Sequence, residues 1–241
     1  MSDIKEEKES IRRRIWSLME EKGVTSFPRP VYGRIPNFKG AEKAARRLMD
    51  LKEYMDARVV KVNPDAPQHP VRAMVLSDRK TLIMPTPRLR RGFMLLNPDR
   101  VAASCLEAST IGGAFKYGEI CPLEKMPRID LVIVGSVAVT PNGKRVGKGG
   151  GYCELEYAIL REVGAVDKDT PVFTTVHDIQ VVENLPCEDH DLIVDAILTP
   201  TKVIIVESER EKPRGIIWEK ISHHHLKEIP ILSELKEKQT N

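Results

Sequence analysis

The segment from residue 130 to 157 constrains the fold more than any other part of this sequence. It opens with the apolar run Leu131 to Val134, whose length and β-branching predict a buried strand. Pro141-Asn142-Gly143 is typical of a turn. Residues 144–151, KRVGKGGG, then combine glycines with three cations. From Glu154 onward the spacing of the apolar residues predicts a helix.

This order of strand, glycine loop and helix favours an anion-binding site. Glycines let the backbone approach a phosphate, the start of a helix offers free N–H groups, and the cations add positive charge. The Walker pattern does not fit, because Asn142 and Gly149 stand where it requires glycine and Ser/Thr. The dinucleotide fingerprint also fails, since Gly147, Gly149 and Gly151 alternate. A flexible surface loop is the alternative interpretation.

The glycine loop and several other segments resemble one known family. Residues 143–154 are similar to G-x-R-[LV]-G-x-G-x-G-Y-[YA]-D, the signature of 5-formyltetrahydrofolate cyclo-ligases, also called methenyltetrahydrofolate synthetases. Residues 186–199 resemble a later segment of that family, P-x-x-x-x-D-x-x-[LV]-D-x-[VI]-[LV]-T. Segments 27–30, 34–40 and 85–90 resemble one branch, the methenyltetrahydrofolate-synthetase-domain-containing proteins. The resemblance therefore spans nearly the whole chain.

The resemblance implies an enzyme that uses ATP and Mg²⁺ to cyclise 5-formyltetrahydrofolate to 5,10-methenyltetrahydrofolate, or that acts in the same way on a related N-formyl pterin. Such a reaction needs no protein nucleophile, so catalysis depends on positioning and on neutralising phosphate charge. By resemblance, the catalytic cations are Arg145 and Lys148, and the magnesium ligands are Glu154 and Asp195. The implied nucleotide-binding residues are Lys8, Arg12, Gly147, Lys148, Gly149, Gly150, Gly151 and Tyr152.

Each of these assignments has a simpler structural interpretation. Lys8 and Arg12 can belong to a solvated helix face, Glu154 can be an acid at a helix start, and Asp195 can be a strand-edge carboxylate. Glu154 also departs from the family's aspartate, and its extra methylene moves the carboxylate by roughly 1.5 Å. Cys153 replaces the family's second tyrosine. The glutamate that cyclo-ligases use against the pterin has no convincing match near residues 68–72.

These departures favour a second hypothesis, a catalytically inactive nucleotide-binding or regulatory module of the same fold. Net charge is only +3, and no aromatic RNA-binding motif occurs, so nucleic acid is an improbable partner. The expected partners are ATP and a folate- or pterin-type small molecule, for a monomer or a homodimer. His177 is expected to be structural, and His190 and residues 223–225 are assigned no role.

The remaining segments predict one α/β domain over residues 1–241. Strands separated by helices predict a mainly parallel central sheet with helices on both faces, the three-layer arrangement of cyclo-ligases. A first helix is expected over 3–22, capped by Asp3 and ended by Gly23, and a further helix over 41–54. Residues 71–77 fit either a helix or a strand, and the helix is favoured. Gly112-Gly113 predicts a loop. The tail 215–241 is expected to pack on the body.

Four separated cysteines, the charged N-terminal segment and the absence of a long apolar run favour a cytoplasmic protein with reduced thiols.

Overall fold

The apolar run at the centre of the sequence forms the middle of an eight-stranded sheet. The computed structural model describes residues 2–101, 104–208 and 210–240. All four residues of the strand Leu131–Val134 are buried, as expected for a strand covered on both faces. The strands are β1 Val59–Val62, β2 Thr81–Pro85, β3 Phe93–Leu96, β4 Glu119–Cys121, β5 Leu131–Val134, β6 Ala138–Val139, β7 Arg145–Val146, β8 Val172–Thr175, β9 Ala196–Leu198 and β10 Val203–Ile205.

The sheet has the strand order β10-β9-β8-β5-β1-β2-β3-β4, and β6 and β7 form a separate hairpin. Its five central strands, from β9 to β2, are parallel. The edge pairs β9–β10, β2–β3 and β3–β4 are antiparallel. The predicted α/β fold with a mainly parallel sheet is therefore confirmed.

Helices cover both faces of the sheet. They are α1 Ser2–Glu21, α2 Ala41–Arg46, α3 Lys52–Asp56, α4 His69–Ser77, α5 Pro98–Val101, α6 Cys105–Ala108, α7 Ile111–Tyr117, α8 Tyr152–Glu162, α9 His223–Glu228 and α10 Pro230–Thr240. Short 3-10 turns occupy Arg47–Asp50, Ala66–Gln68, Pro87–Leu89, Leu123–Lys125, Asp178–Gln180 and Trp218–Lys220. None of the helices within these described ranges is long and apolar enough to cross a membrane.

Alternation along β5 divides the hydrophobic core into two layers. Val132 and Val134 join the cluster that contains α8 and the C-terminal helix α10. Leu131 and Ile133 join the opposite cluster, which contains α2 and α4. This division follows from the two-residue period of a strand. A third cluster packs α1 against the β6–β7 hairpin and the loop that precedes α2.

Three predicted elements differ from the structure. The predicted helix 41–54 is interrupted, because Leu51 is extended at φ −108° and ψ 127°. The predicted loop at Gly112-Gly113 is wrong, since both residues lie in α7, whose start is capped by Thr110. Gly113 serves close packing there: a Cβ would lie 1.8 Å from the carbonyl oxygen of Glu107.

The first helix begins at Ser2, so Asp3 lies inside it rather than at its cap. The side chain of Asp3 lies outside the described part of the chain, as do Met1 and Asn241 at the ends of the predicted domain. Gly23 has φ 62° and follows the last turn, as expected of a helix end. The division into a single domain remains a prediction.

Candidate functional site

The glycine loop, residues 147–151, connects the β6–β7 hairpin to α8. Gly149 has φ 100° and Gly151 φ 68°, conformations that side chains disfavour. Gly151 is the N-cap residue of α8 and offers no side-chain cap. The start of this eleven-residue helix therefore offers backbone N–H groups to an anion, and one of them, the N–H of Glu154, already meets the carboxylate of the same residue. The turn predicted at residues 141–143, between β5 and the glycine loop, joins the two strands of the β6–β7 hairpin.

The first helix lies against the glycine loop. The Nε of Arg12 donates to the carbonyl oxygen of Gly147 at 2.7 Å. A Cβ on Gly149 would lie 3.3 Å from the Cζ of Arg12. One turn earlier, the Nζ of Lys8 lies 2.6 Å from Asp191 Oδ2 and 3.0 Å from Glu188 Oε2. Of the two cations predicted from the first helix, Arg12 thus contacts the loop, whereas Lys8 pairs with carboxylates on the wall of the same cavity.

A cavity of about 1210 Å³ opens between α1, the glycine loop and the carboxyl end of β1. Every residue predicted to contact nucleotide lies on its wall. The lining comprises Lys5, Lys8, Arg12, Phe27, Pro28, Gly33, Arg34, Ile35, Asn37, Asn63, Pro64, Asp65, Ala66, His69, Arg72, Thr86, Pro87, Arg88, Thr110, Ile111, Gly135, residues 145–154, Glu156, Glu188, His190 and Asp191.

Arg145 is fully buried and binds protein groups. Its Nη1 forms an ion pair with Glu154, and its Nη2 donates to the carbonyl oxygen of Gly135 at 2.9 Å. Burial would raise the pKa of Glu154, but the charge and the hydrogen bond of Arg145, together with the backbone N–H of Glu154, outweigh it and lower that pKa. Arg145 therefore keeps Glu154 ionised and holds it beside the end of β5.

Lys148 is the more exposed of the two predicted catalytic cations. Its side chain is 43% exposed, and its Nζ lies 2.8 Å from Asp65 Oδ1. Asp65 follows β1 and is a cavity-lining carboxylate that the sequence analysis missed. Asp65 lies between the predicted strand β1 and a short turn, and that position in the sequence could have identified it as a residue of the ligand-binding edge of the sheet.

Asp195 does not fit the predicted magnesium role. It precedes β9, so it lies at the amino end of the parallel strands, whereas the glycine loop lies beyond their carboxyl ends. Its Oδ2 accepts from the backbone N of Val172 at 2.7 Å and pairs with Lys212 at 2.7 Å. Asp195 does not line the cavity. It fits the alternative interpretation, a carboxylate at a strand edge.

A different group of potential metal ligands lies on the cavity wall. Glu188, His190 and Asp191 bring ligand atoms within 4.8 Å of one another on the cavity wall. The charge of Asp191 acts on Arg145, so this group and the Arg145–Glu154 pair share one electrostatic environment. Asp191 belongs to the second motif, four residues before the aspartate that was chosen. His190, which was assigned no role from the sequence, thus lies beside two carboxylates.

A charged pair is buried at the inner end of the cavity. Lys61 lies in β1 and its side chain is 1% exposed; its Nζ lies 2.5 Å from Glu156 Oε2 on α8. The same Nζ donates to Asn63 Oδ1 at 2.7 Å. Burial raises the pKa of Glu156, and Lys61 opposes that rise. A lysine in an otherwise apolar strand was a sequence signal for this group.

His177 has the structural role that was expected. Its Nδ1 accepts from the backbone N of Ile179, while its own backbone N donates to Gln180 Oε1. The Nε2 of Gln180 donates to the carbonyl oxygens of Ser136 and Val137. This pair fixes the connection between β5 and the hairpin that carries the glycine loop.

The C-terminal segment also contacts the loop. The hydroxyl of Tyr152 donates to Glu228 Oε2 at 2.7 Å, and His225 Nε2 lies 3.2 Å from the carbonyl oxygen of Gly150. The Tyr152 and His225 rings meet edge to face, 5.6 Å apart. Helix α9 therefore supports the outer side of the glycine loop.

A mainly parallel sheet with a glycine loop and a helix start beyond its strand ends defines a class of α/β proteins whose ligand sites lie at that edge of the sheet. Within that class, the chain belongs to the 5-formyltetrahydrofolate cyclo-ligase family, whose model matches residues 4–200. The resemblance predicted from the sequence is thereby confirmed.

Named relatives agree with this assignment. The chain is 50% identical over 238 residues to a methenyltetrahydrofolate synthase domain-containing protein of Mus musculus, covering 96% of this chain and 64% of that protein. The Homo sapiens protein of the same description is 47% identical over 235 residues, covering 95% and 61%. The chain thus spans less than two thirds of the length of these relatives.

A solved structure shows the same fold. The 5,10-methenyltetrahydrofolate synthetase of Aquifex aeolicus matches with a TM-score of 0.53 at 21% identity, covering 90% of this chain and 97% of that chain.

Proposed function

We propose that this protein uses ATP and Mg²⁺ to cyclise 5-formyltetrahydrofolate to 5,10-methenyltetrahydrofolate, or performs the same chemistry on a related N-formyl pterin. One observation supports this most: Lys8, Arg12, the glycine loop and the start of α8 meet at one cavity of about 1210 Å³. Sites for single small ligands usually measure roughly 300–1,000 Å³, so this cavity has room for two substrates side by side.

In this reaction the formyl oxygen would take the γ-phosphoryl group of ATP and release ADP. The phosphorylated oxygen would then depart as phosphate when the neighbouring nitrogen closes the ring and loses its proton. The residues of this chain contribute binding and charge. The N–H groups at the start of α8 and the cations Lys8, Arg12 and Lys148 face the site and favour anionic phosphates. Arg145 acts through Glu154, which it holds in place.

The carboxylates on the cavity wall fit Mg²⁺. Magnesium prefers oxygen ligands and usually takes one or two carboxylates together with phosphate oxygens and water. We assign Glu154 and Asp191 to this role in place of Glu154 and Asp195. When bound, Mg²⁺ neutralises charge on the transferred phosphoryl group. Asp65, on the same wall, supplies a carboxylate that the sequence analysis did not find near residues 68–72.

The decisive assay follows absorbance of the methenyl product from purified protein, 5-formyltetrahydrofolate, ATP and Mg²⁺. The expected result is product formation that requires both ATP and the metal, with Arg12→Ala as an impaired variant. A folded protein that binds ATP and yields no product from this substrate removes folate cyclisation from the proposal. The next substrates are then other N-formyl pterins.

A second candidate is a catalytically inactive nucleotide-binding or regulatory module. It is favoured by the internal compensation of the site: Lys8 pairs with Asp191, Arg145 with Glu154 and Lys148 with Asp65. Such a module binds ATP without turnover of any N-formyl pterin. Calorimetric ATP binding combined with the absorbance assay distinguishes the two functions.

A further inference from the structure

The buried Lys61–Glu156 pair is the feature of the cavity that phosphate binding does not use. Lys61 lies in the central strand β1 between Val60 and Val62, both fully buried. Glu156 lies in the first half of α8, is 4% exposed and lines the cavity. Replacing a buried ion pair by apolar residues often leaves stability unchanged or raises it. Stability alone therefore gives no reason for this pair.

Lys61 fixes the orientation of its two neighbours. An ammonium group only donates hydrogen bonds, so the amide of Asn63 must turn its Oδ1 toward Lys61, as it does at 2.7 Å. The Nδ2 of Asn63 consequently points away from Lys61. Lys61 also donates a hydrogen bond to Oε2 of Glu156, and it does not bond to Oε1 of that carboxylate. Neither Asn63 Nδ2 nor Glu156 Oε1 makes a hydrogen bond to any described residue.

The backbone around Asn63 is held in place independently. Its N donates to the carbonyl oxygen of Ile133 at 3.1 Å. Its carbonyl oxygen accepts from Nη1 of the buried Arg72 at 2.6 Å, and the Nε of Arg72 donates to Ser109 O at 2.7 Å. Asn63 is only 4% exposed and lines the cavity. A side chain held in this way loses little entropy when it binds a ligand.

Asn63 and Glu156 both line the cavity and both bond to Lys61, so the N–H donor and the carboxylate acceptor that Lys61 leaves unused belong to the same wall. The ligand edge complementary to them is a lactam, in which a carbonyl oxygen lies next to a ring N–H. We propose that Asn63 donates a hydrogen bond to the 4-oxo group of a pteridine and that Glu156 accepts one from its N3–H. Lys61 is the positioning residue for both. This inference rests on the proposed function and specifies the substrate class for the same cavity.

The structure also indicates how to invert this preference. In the double variant Asn63→Asp with Glu156→Gln, Lys61 keeps one carboxylate and one amide oxygen, and the net charge is unchanged. Since Lys61 again only donates, the new glutamine turns its NH₂ toward the cavity and the new aspartate presents an oxygen. The swapped pair matches a 4-amino pteridine, whose ring N3 accepts and whose amino group donates.

The experiment measures binding by calorimetry, using 5-formyltetrahydrofolate and its 4-amino-4-deoxy counterpart with each protein. Wild type is expected to prefer the 4-oxo compound by about tenfold or more, because the other compound leaves a buried carboxylate oxygen unpaired. The double variant is expected to reverse the order. Asp167→Asn, which removes the surface partner of Arg128, is the control and keeps the wild-type ratio.

Equal affinity of wild type for the two compounds, or a double variant with the wild-type ratio, overturns the inference and leaves the proposed cyclisation intact. If wild type binds ATP but neither pteridine, the folate-type substrate itself is wrong, and the inference fails with it. Melting curves and ATP titrations verify that each variant is folded. Should the double variant not fold, Glu156→Gln alone is expected to abolish the preference, and retention of the wild-type ratio counts against the inference.

Discussion

At the scale of single residues, Gly149 decides how closely the loop approaches a phosphate. Its φ of 100° disfavours any side chain, and a Cβ would press on the Arg12 guanidinium. We expect Gly149→Ala to weaken ATP binding and to cost about 1–2 kcal/mol of stability. Calorimetric titration of ATP and melting curves measure the two effects separately.

Gly164 provides the matched control for that variant. It has φ 70°, and nothing lies within 4 Å of the position its Cβ would occupy. Gly164→Ala should show a similar loss of stability with unchanged ATP affinity. If both variants bind ATP as wild type does, the loop is structural and the phosphate site lies elsewhere.

Glu154 makes a pH-dependent contribution to stability at the same scale. Its folded-state pKa lies below its ordinary value of 4.5 because the charge and the hydrogen bond of Arg145, together with the backbone N–H of Glu154, outweigh burial. A lowered carboxylate pKa stabilises the folded state above the ordinary value, and this stabilisation is lost as the pH falls through the folded-state pKa. Glu154→Gln should therefore cost about 3 kcal/mol at pH 7, and the difference from wild type should shrink below pH 4.5.

Urea unfolding from pH 7 to pH 3 measures this difference directly. Glu119→Gln is the control, since Glu119 and its partner Arg100 are both exposed and surface pairs contribute roughly 0–1 kcal/mol. A Glu154→Gln variant whose deficit does not change with pH would show that the carboxylate is not held ionised by Arg145.

At the scale of elements, two aspartates that are four residues apart in the sequence lie at opposite ends of the parallel strands. Asp191 lies on the cavity wall beside Lys8, whereas Asp195 pairs with Lys212 at the amino end of β9. We expect Asp191→Asn to remove the Mg²⁺ dependence of ATP binding. Asp195→Asn should lower stability by roughly 1 kcal/mol and keep that dependence.

Titrations of ATP with and without Mg²⁺, together with melting curves, test both variants. The reverse pattern, in which Asp195→Asn abolishes the metal dependence and Asp191→Asn does not, restores the original assignment.

These elements also show what the sequence can and cannot specify. The strand Leu131–Val134 was predictable because four consecutive apolar residues, between Asp130 and Gly135, are stable only when both faces of the strand are buried. Lys8 and Arg12 were predictable through a helical period and a resemblance. The sequence could not show which of Asp191 and Asp195 lies at the cavity. That depends on where β9 begins, and the start of β9 is set by its pairing with β8. Likewise the helix at Gly113 depends on its close approach to Glu107, which no local pattern encodes.

At the scale of the whole molecule, the C-terminal helices complete the core of a domain whose family model ends at residue 200. Ile229 and Leu232 are fully buried, and Leu235 is 7% exposed, in the cluster that contains α8. Burying each such side chain contributes roughly 1.5–3 kcal/mol. Their sum approaches the 5–15 kcal/mol that typically stabilises a folded protein.

A chain shortened to end at Ile221 should therefore lose cooperative unfolding, although it retains the complete family-model region, the glycine loop and Lys212. Circular dichroism during thermal unfolding and proton NMR dispersion measure this loss. Leu232→Ala in the full chain is the matched point variant, and it should cost about 2–5 kcal/mol while leaving a single transition. Cooperative melting of the shortened chain at the wild-type temperature would mean that the core is stable without α9 and α10. The contacts of α9 with Gly150 and Tyr152 would then stabilise only the glycine loop.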